Sequence, residues 1–79
     1  MALYTYDGDT DVLYVLLVDE PDATIRNTVE LSDRVHVDLD AAGEVVGVEV
    51  LYARGEGVDL SPFTERFGVA IDVPFAFAA

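Results

Sequence analysis

The chain has 79 residues, no cysteine, and a formal net charge of -12 from 16 acidic residues against 4 basic ones, all of them arginine. Disulfide staples and thiolate metal sites are thereby excluded, and the scattered Arg26, Arg34, Arg54 and Arg66 do not concentrate the positive potential that a phosphate backbone requires, so no nucleic-acid partner is expected. A hydrophobic content of 52% supports a folded core, yet a domain of this size buries only about 60–65% of its unfolded surface, which makes oligomerisation, a homodimer first, the expected remedy.

Ala2 to Tyr6 reads as a first strand, and Asp7-Gly8-Asp9-Thr10-Asp11 as a cluster of turn formers whose side chains can bond nearby backbone N–H groups. Val12 to Val18 follows as a strand apolar on both faces, with Val12, Tyr14, Leu16 and Val18 on one side and Leu13, Val15 and Leu17 on the other. That pattern is expected of an interior strand covered twice. Asp19-Glu20-Pro21-Asp22 breaks it, and Thr24 to Leu31 is a weaker strand of mixed polarity suited to an edge.

The clearest signal is Arg34 to Leu51, where two stretches of strict alternation flank a glycine-bearing turn, the pattern of a hairpin with one buried and one wet face. Val35, Val37 and Leu39 fall on one side; Arg34, His36, Asp38 and Asp40 fall on the other. A four-residue turn, Ala41 to Glu44, sets Leu39 against Val46, Val37 against Val48 and Val35 against Val50, so that every apolar pair agrees. A three-residue loop with a glycine bulge is common in such sequences, but continued uncorrected it puts Val35 opposite Glu49; the longer turn or an extra bulge resolves the conflict. In the favoured register His36 faces Glu49 across the wet side and Asp38 faces Gly47. Gly43 is read as the turn residue of positive φ and Gly47 as relief for a close neighbour across the sheet.

Arg54-Gly55-Glu56-Gly57 loosens the chain. Ser61 as cap, Pro62 at the first helical position and Gly68 as stop then predict a two-turn helix with Phe63 and Phe67 on one side. Val69 to Val73 is strand-like, and Pro74-Phe75-Ala76-Phe77 is an apolar tail expected to lie on the core or on a second subunit. The fold class is therefore α+β and mostly β: an antiparallel sheet of about four to six strands with one short C-terminal helix packed on it. It forms a single domain over 1–79, with a β-meander over 1–53 and the short helix and C-terminal strand or tail over 54–79.

Tyr6-Asp7, Asp11, Leu13-Tyr14, then Val37-Asp38-Leu39-Asp40, Gly43 and Val45-Val46-Gly47-Val48-Glu49-Val50-Leu51 resemble the pattern of a family of small, mostly bacterial proteins catalogued as domain of unknown function 2283. The resemblance covers about the first two-thirds of the chain. It implies a small β-rich fold with a short helix and no established activity. Members are suspected, from the company their genes keep, to be antitoxin-like partners of small toxins.

Asp7 to Asp11 has the alternating carboxylates of a calcium loop, but Val12 stands where that loop needs glycine and Val18 where it needs a bidentate glutamate, so a simple turn is the reading. No metal and no cofactor are expected. His36, Asp38 and Glu49 form the candidate binding surface; they could orient an imidazole, yet Ser32 and Ser61 read as turn and cap residues, and no nucleophile accompanies them, so no catalytic residue is assigned. Leu13, Val15, Leu17, Phe75 and Phe77 are the candidate homodimer interface. The N-terminus lacks a basic leader and the longest apolar run falls short of a membrane span, so a cytoplasmic protein is expected.

The charge favours a basic protein partner, with a high-salt habitat or genome composition as the competing account of the acidity. The function reading is a non-catalytic, homodimeric interaction module. A small enzyme or metal- or ligand-binding protein using His36, Asp38 and Glu49 is the alternative, and a purely structural oligomer is a further one.

Overall fold

The computed structural model describes residues 3–18, 24–73 and 77. Five strands, β1 (Leu3–Asp7), β2 (Val12–Leu16), β3 (Asn27–Glu30), β4 (Val35–Leu39) and β5 (Val45–Leu51), precede two short helices, α1 (Ala53–Glu56) and α2 (Ser61–Phe67). The strands form one antiparallel sheet in the order β1-β2-β5-β4-β3, so β5 enters between two hairpins and β1 and β3 take the edges. The fold class is thus α+β and mostly β, as expected, with a second helix that the sequence pattern did not indicate.

Alternation along each strand decides which face is buried. Leu13 and Val15 of β2, Val48 and Val50 of β5 and Val37 of β4 lie on one face, at most 1% exposed, and meet Ala53, Val58, Leu60, Phe63 and Phe77. None of the described elements packs across the other face, where Val12, Tyr14 and Leu16 remain half-buried. The expectation that β2 is covered twice is corrected accordingly: it is interior in the sheet but has only one dry side. Tyr14, with a polar tip, suits that half-wet position.

Between β4 and β5 the register is Val35↔Val50, His36↔Glu49, Val37↔Val48 and Asp38↔Gly47, as the face pattern requires. The correction lies at the turn, where Leu39 pairs with Val45 rather than Val46. Asp40 N–H donates to the Glu44 carbonyl at 2.9 Å and Gly43 N–H to the Asp40 carbonyl at 3.1 Å, closing a three-residue loop with Gly43 at φ 81°. An irregularity after Asp38 then absorbs the extra residue. The short glycine loop wins, and a β-bulge restores the faces.

Other boundaries shift for local reasons. β1 is described from Leu3, the expected Ala2 lying outside the described residues, and reaches Asp7; β2 ends at Leu16, two residues before Val18. β3 keeps only Asn27–Glu30 of the expected Thr24 to Leu31. Ser61 is the first helical residue of α2 rather than its cap; Leu60 takes the cap position, Pro62 lies in the first turn and Gly68 ends the helix at φ 72°. The Asp59 carboxylate accepts the Ser61 N–H at 3.0 Å, supplying the acceptor that Leu60 lacks.

Arg54 to Gly57, expected to be loose, holds all of α1 but its first residue, Ala53. Val69 to Val73, expected as a strand, joins no ladder. Val69, Ile71 and Val73 are half-buried against the core while Ala70 and Asp72 face out, so the segment satisfies its alternating pattern by packing. The Tyr4 hydroxyl ties it down by donating to the Asp72 carbonyl. Phe77 lies on the core, 8% exposed, with its ring centroid 4.9 Å from that of Tyr6, and its carbonyl accepts the Val58 N–H at 2.7 Å.

Candidate functional site

The open face of the sheet carries the polar residues that alternation excludes from the core. Across β2, β5, β4 and β3 the register aligns Tyr14, Glu49, His36 and Glu30 in one row and Leu16, Gly47, Asp38 and Thr28 in the next. The candidate residues His36, Asp38 and Glu49 are therefore neighbours, but they form two separate contacts rather than one triad.

In the first, His36 Nδ1 lies 3.2 Å from Glu49 Oε1, and its Nε2 lies 3.6 Å from Glu30 Oε1. One imidazole thus stands between carboxylates from the strands on either side. A neutral ring has a single N–H to donate, and Nε2 is buried without a hydrogen-bond partner. The second contact is centred on Asp38: its Oδ2 accepts the Tyr14 hydroxyl at 2.8 Å and its Oδ1 accepts the Thr28 hydroxyl at 2.8 Å. Three strands are joined by one carboxylate.

Tyr14 is the structural centre of this face. An ideal Cβ on Gly47 would stand 2.6 Å from Tyr14 Cζ and 2.8 Å from its Cε2, closer than side chains approach. The ring therefore lies directly on the Gly47 backbone, and Gly47 provides the cross-sheet relief that the sequence pattern implied. Burial, with the Asp38 hydrogen bond and charge adding to it, pushes the Tyr14 phenol well above its ordinary range. At neutral pH it is a fixed hydrogen-bond donor rather than a base or nucleophile.

Sequence reasoning missed Glu30, Thr28 and Tyr14 as members of this face. Their signal lies in β3: Val29 is the sole apolar residue of Asn27-Thr28-Val29-Glu30, and placing it on the core opposite Val37 puts Thr28 beside Asp38 and Glu30 beside His36.

A second cluster serves the fold. Asp11, at φ 58°, accepts the Tyr6 hydroxyl at 2.7 Å and the Arg54 N–H at 2.8 Å on Oδ1, and the Gly55 N–H at 2.9 Å on Oδ2. Its own carbonyl accepts the Ala53 N–H at 3.0 Å. The carboxylate of the first hairpin turn thus caps α1, 43 residues away in the chain, and these donors hold its pKa below the usual carboxylate range, the tyrosine hydroxyl first. Asp7 accepts the Asp9 N–H at 2.9 Å in a local turn. Among the described residues no three histidine or acidic side chains are placed to hold a metal ion.

Three of the four arginines are folded back on the chain. Arg34 Nε donates to the Leu51 carbonyl at 3.0 Å, and its Nη2 donates to the Tyr52 carbonyl at 3.0 Å and the Gly57 carbonyl at 2.6 Å. Arg54 lies over the rings of Tyr6 and Phe77, and Arg66 over that of Phe67. Arg26, just before β3, is exposed.

Of the residues read as a homodimer interface, Leu13 and Val15 are enclosed in the chain's own core and Phe77 nearly so. They have little area to offer a second copy. Leu17 is half-buried beside the same core, and Phe75 lies outside the described residues. Among the described residues, no helix is long and apolar enough to cross a membrane.

Comparison with known proteins yields no match among curated proteins and none among solved structures. A family model does match, over residues 3–54, the stretch that holds all five strands, the contacts of His36 and Asp38, and all of the Asp11 cluster except Gly55. The chain belongs to the family described as protein of unknown function (DUF2283).

Proposed function

We propose that this chain is a non-catalytic interaction module that presents its open sheet face to a basic protein partner. The observation that carries this reading is the alignment of Glu30, Asp38 and Glu49 from three adjacent strands on the uncovered face, while Arg34, Arg54 and Arg66 are spent on the chain's own carbonyls and rings. A net charge of -12 extends the field beyond the contact itself and steers a cationic partner toward it. An antitoxin-like role, in which the partner is a small basic toxin, is one form of this module.

The test is co-purification of a basic protein with the tagged chain at about 0.1 M and about 1 M salt, where the screening length falls from about 10 Å to about 3 Å. The same is done with the triple variant Glu30→Gln, Asp38→Asn, Glu49→Gln. Retention by the parent chain at low salt, with loss at high salt and in the variant, is expected. Equal retention at both salt concentrations, or by the variant, refutes the reading.

A further inference from the structure

We propose that the open face holds a seat for an arginine side chain of the partner, with the Tyr14 ring as its floor and Glu49 and Asp38 as its walls. The seat presupposes that the acidic sheet face is the binding surface. One side of the Tyr14 ring lies on the Gly47 backbone and its hydroxyl is fixed by Asp38, so the ring has little freedom left to lose on binding. The residue is only half-buried, so part of it is open to solvent. Glu49 pairs with Tyr14 in the register, with its Oε1 3.2 Å from His36 Nδ1, and Asp38 accepts the Tyr14 hydroxyl, so two carboxylate residues neighbour the ring.

A planar guanidinium can lie flat on such a ring while its N–H groups reach carboxylates at the ring's edge; a lysine ammonium is a compact, more strongly hydrated point charge that cannot do both. The chain already places guanidinium groups over its own aromatic rings. The Arg54 guanidinium carbon lies 5.8 Å from the Tyr6 ring centroid and that of Arg66 lies 5.5 Å from the Phe67 centroid. Among the described residues no arginine of the chain occupies Tyr14, which stands among the carboxylates. A second copy is a poor occupant, since face-to-face pairing sets Glu30, Asp38 and Glu49 against themselves.

The full chain is titrated with hexa-arginine amide and with hexa-lysine amide at low salt, following backbone amide shifts and affinity, for the parent chain and for Tyr14→Leu and Tyr14→Phe. Hexa-arginine is expected to bind about threefold to fivefold more tightly than hexa-lysine, the scale of an exposed cation–aromatic contact, with the largest shifts at Tyr14, Gly47 and Glu49. Tyr14→Phe, which keeps the ring, retains the preference; Tyr14→Leu removes it while hexa-lysine binding stays within about twofold. Equal affinity of the parent chain for both peptides overturns the seat and leaves the acidic face standing. That comparison needs no variant to fold. Failure of both peptides to bind overturns the acidic-face reading and the seat with it.

Discussion

Gly47→Ala tests the physical account of the open face most directly. The added methyl would stand 2.6 Å from Tyr14 Cζ and 2.8 Å from Cε2; a carbon–carbon contact needs about 3.5–4.0 Å, so the ring must swing away by roughly an ångström. The Tyr14 hydroxyl cannot follow that movement and still donate to Asp38 at 2.8 Å. A hydrogen bond to a charged acceptor contributes about 1.5–3 kcal/mol, and half-burial places this one near the lower end. The lifted ring also gives up roughly 1 kcal/mol of apolar contact. Against these losses, alanine is easier to order in a strand than glycine by about 0.5–1 kcal/mol. The expected net effect is a destabilisation of about 1.5–2 kcal/mol, or about 6–16 °C in melting temperature for a domain of this size.

A double-mutant cycle with Tyr14→Val makes the prediction specific. With the ring gone, nothing obstructs the methyl, and Gly47→Ala is expected to stabilise the chain by about 0.5–1 kcal/mol, giving a coupling of about 2–3 kcal/mol. Urea unfolding followed by far-ultraviolet circular dichroism measures all four corners. A Gly47→Ala effect that is the same in both backgrounds would falsify the claim that Tyr14 is what requires glycine there.

The remaining predictions concern the clamps and the core. Because the folded pKa of Asp11 is lowered, its stabilising effect is present above its unfolded value near about pH 4 and is lost as pH falls through the folded value; Asp11→Asn should flatten the acid limb of a urea-midpoint titration, and an unchanged limb would contradict the capping role. Tyr14 is raised, so its contribution is complete below about pH 10 and is lost as pH rises through its folded value. Ultraviolet titration should show a tyrosine that ionises above the ordinary phenol range, and Asp38→Asn should bring it down. Arg34→Lys leaves at most part of the three-carbonyl contact and should cost about 1–3 kcal/mol in chemical denaturation; a neutral result would show that the guanidinium fork is dispensable. Phe63, fully buried under the sheet, should cost about 3–5 kcal/mol when changed to alanine, enough to remove the cooperative unfolding transition of so small a domain.

Legibility in the sequence followed the range of the interaction that determines each element. Val35, Val37, Val48 and Val50 announce their register because a one-residue slip would turn every one of them into water, and the sheet bears this out. Pro62 and Gly68 bracket α2 for equally local reasons. α1 was not legible, since Ala-Arg-Gly-Glu has no helix signal of its own and its amides are capped by Asp11 from the first hairpin. Val69 to Val73 carries a strand's alternation, but alternation reports only that one side is buried; whether a ladder forms depends on a neighbour that the pattern cannot specify. The site divides in the same way. His36 facing Glu49 follows from the hairpin alone, whereas Glu30, Thr28 and Tyr14 join the face only once the strand order β2-β5-β4-β3 is known.

The limits of the family match carry a structural consequence. It ends at Arg54, so the sheet, the Tyr14–Gly47–Asp38 contact and Asp11 with its Tyr6 and Arg54 donors fall inside it, whereas Val58, Leu60, Phe63 and Phe77, which close the core, fall outside. The matched segment alone would leave Leu13, Val15, Val37, Val48 and Val50 facing water, an apolar surface that a small domain cannot sustain. Some covering layer is therefore obligatory, and here the chain supplies its own. The open face is under no such demand: its residues are polar or half-wet, and Gly47, which weakens a strand, is explained there by one aromatic ring held at a fixed place. The glycine costs the strand about 0.5–1 kcal/mol, less than the Tyr14–Asp38 hydrogen bond and the seated ring return, so the arrangement is held by what Tyr14 gives the sheet.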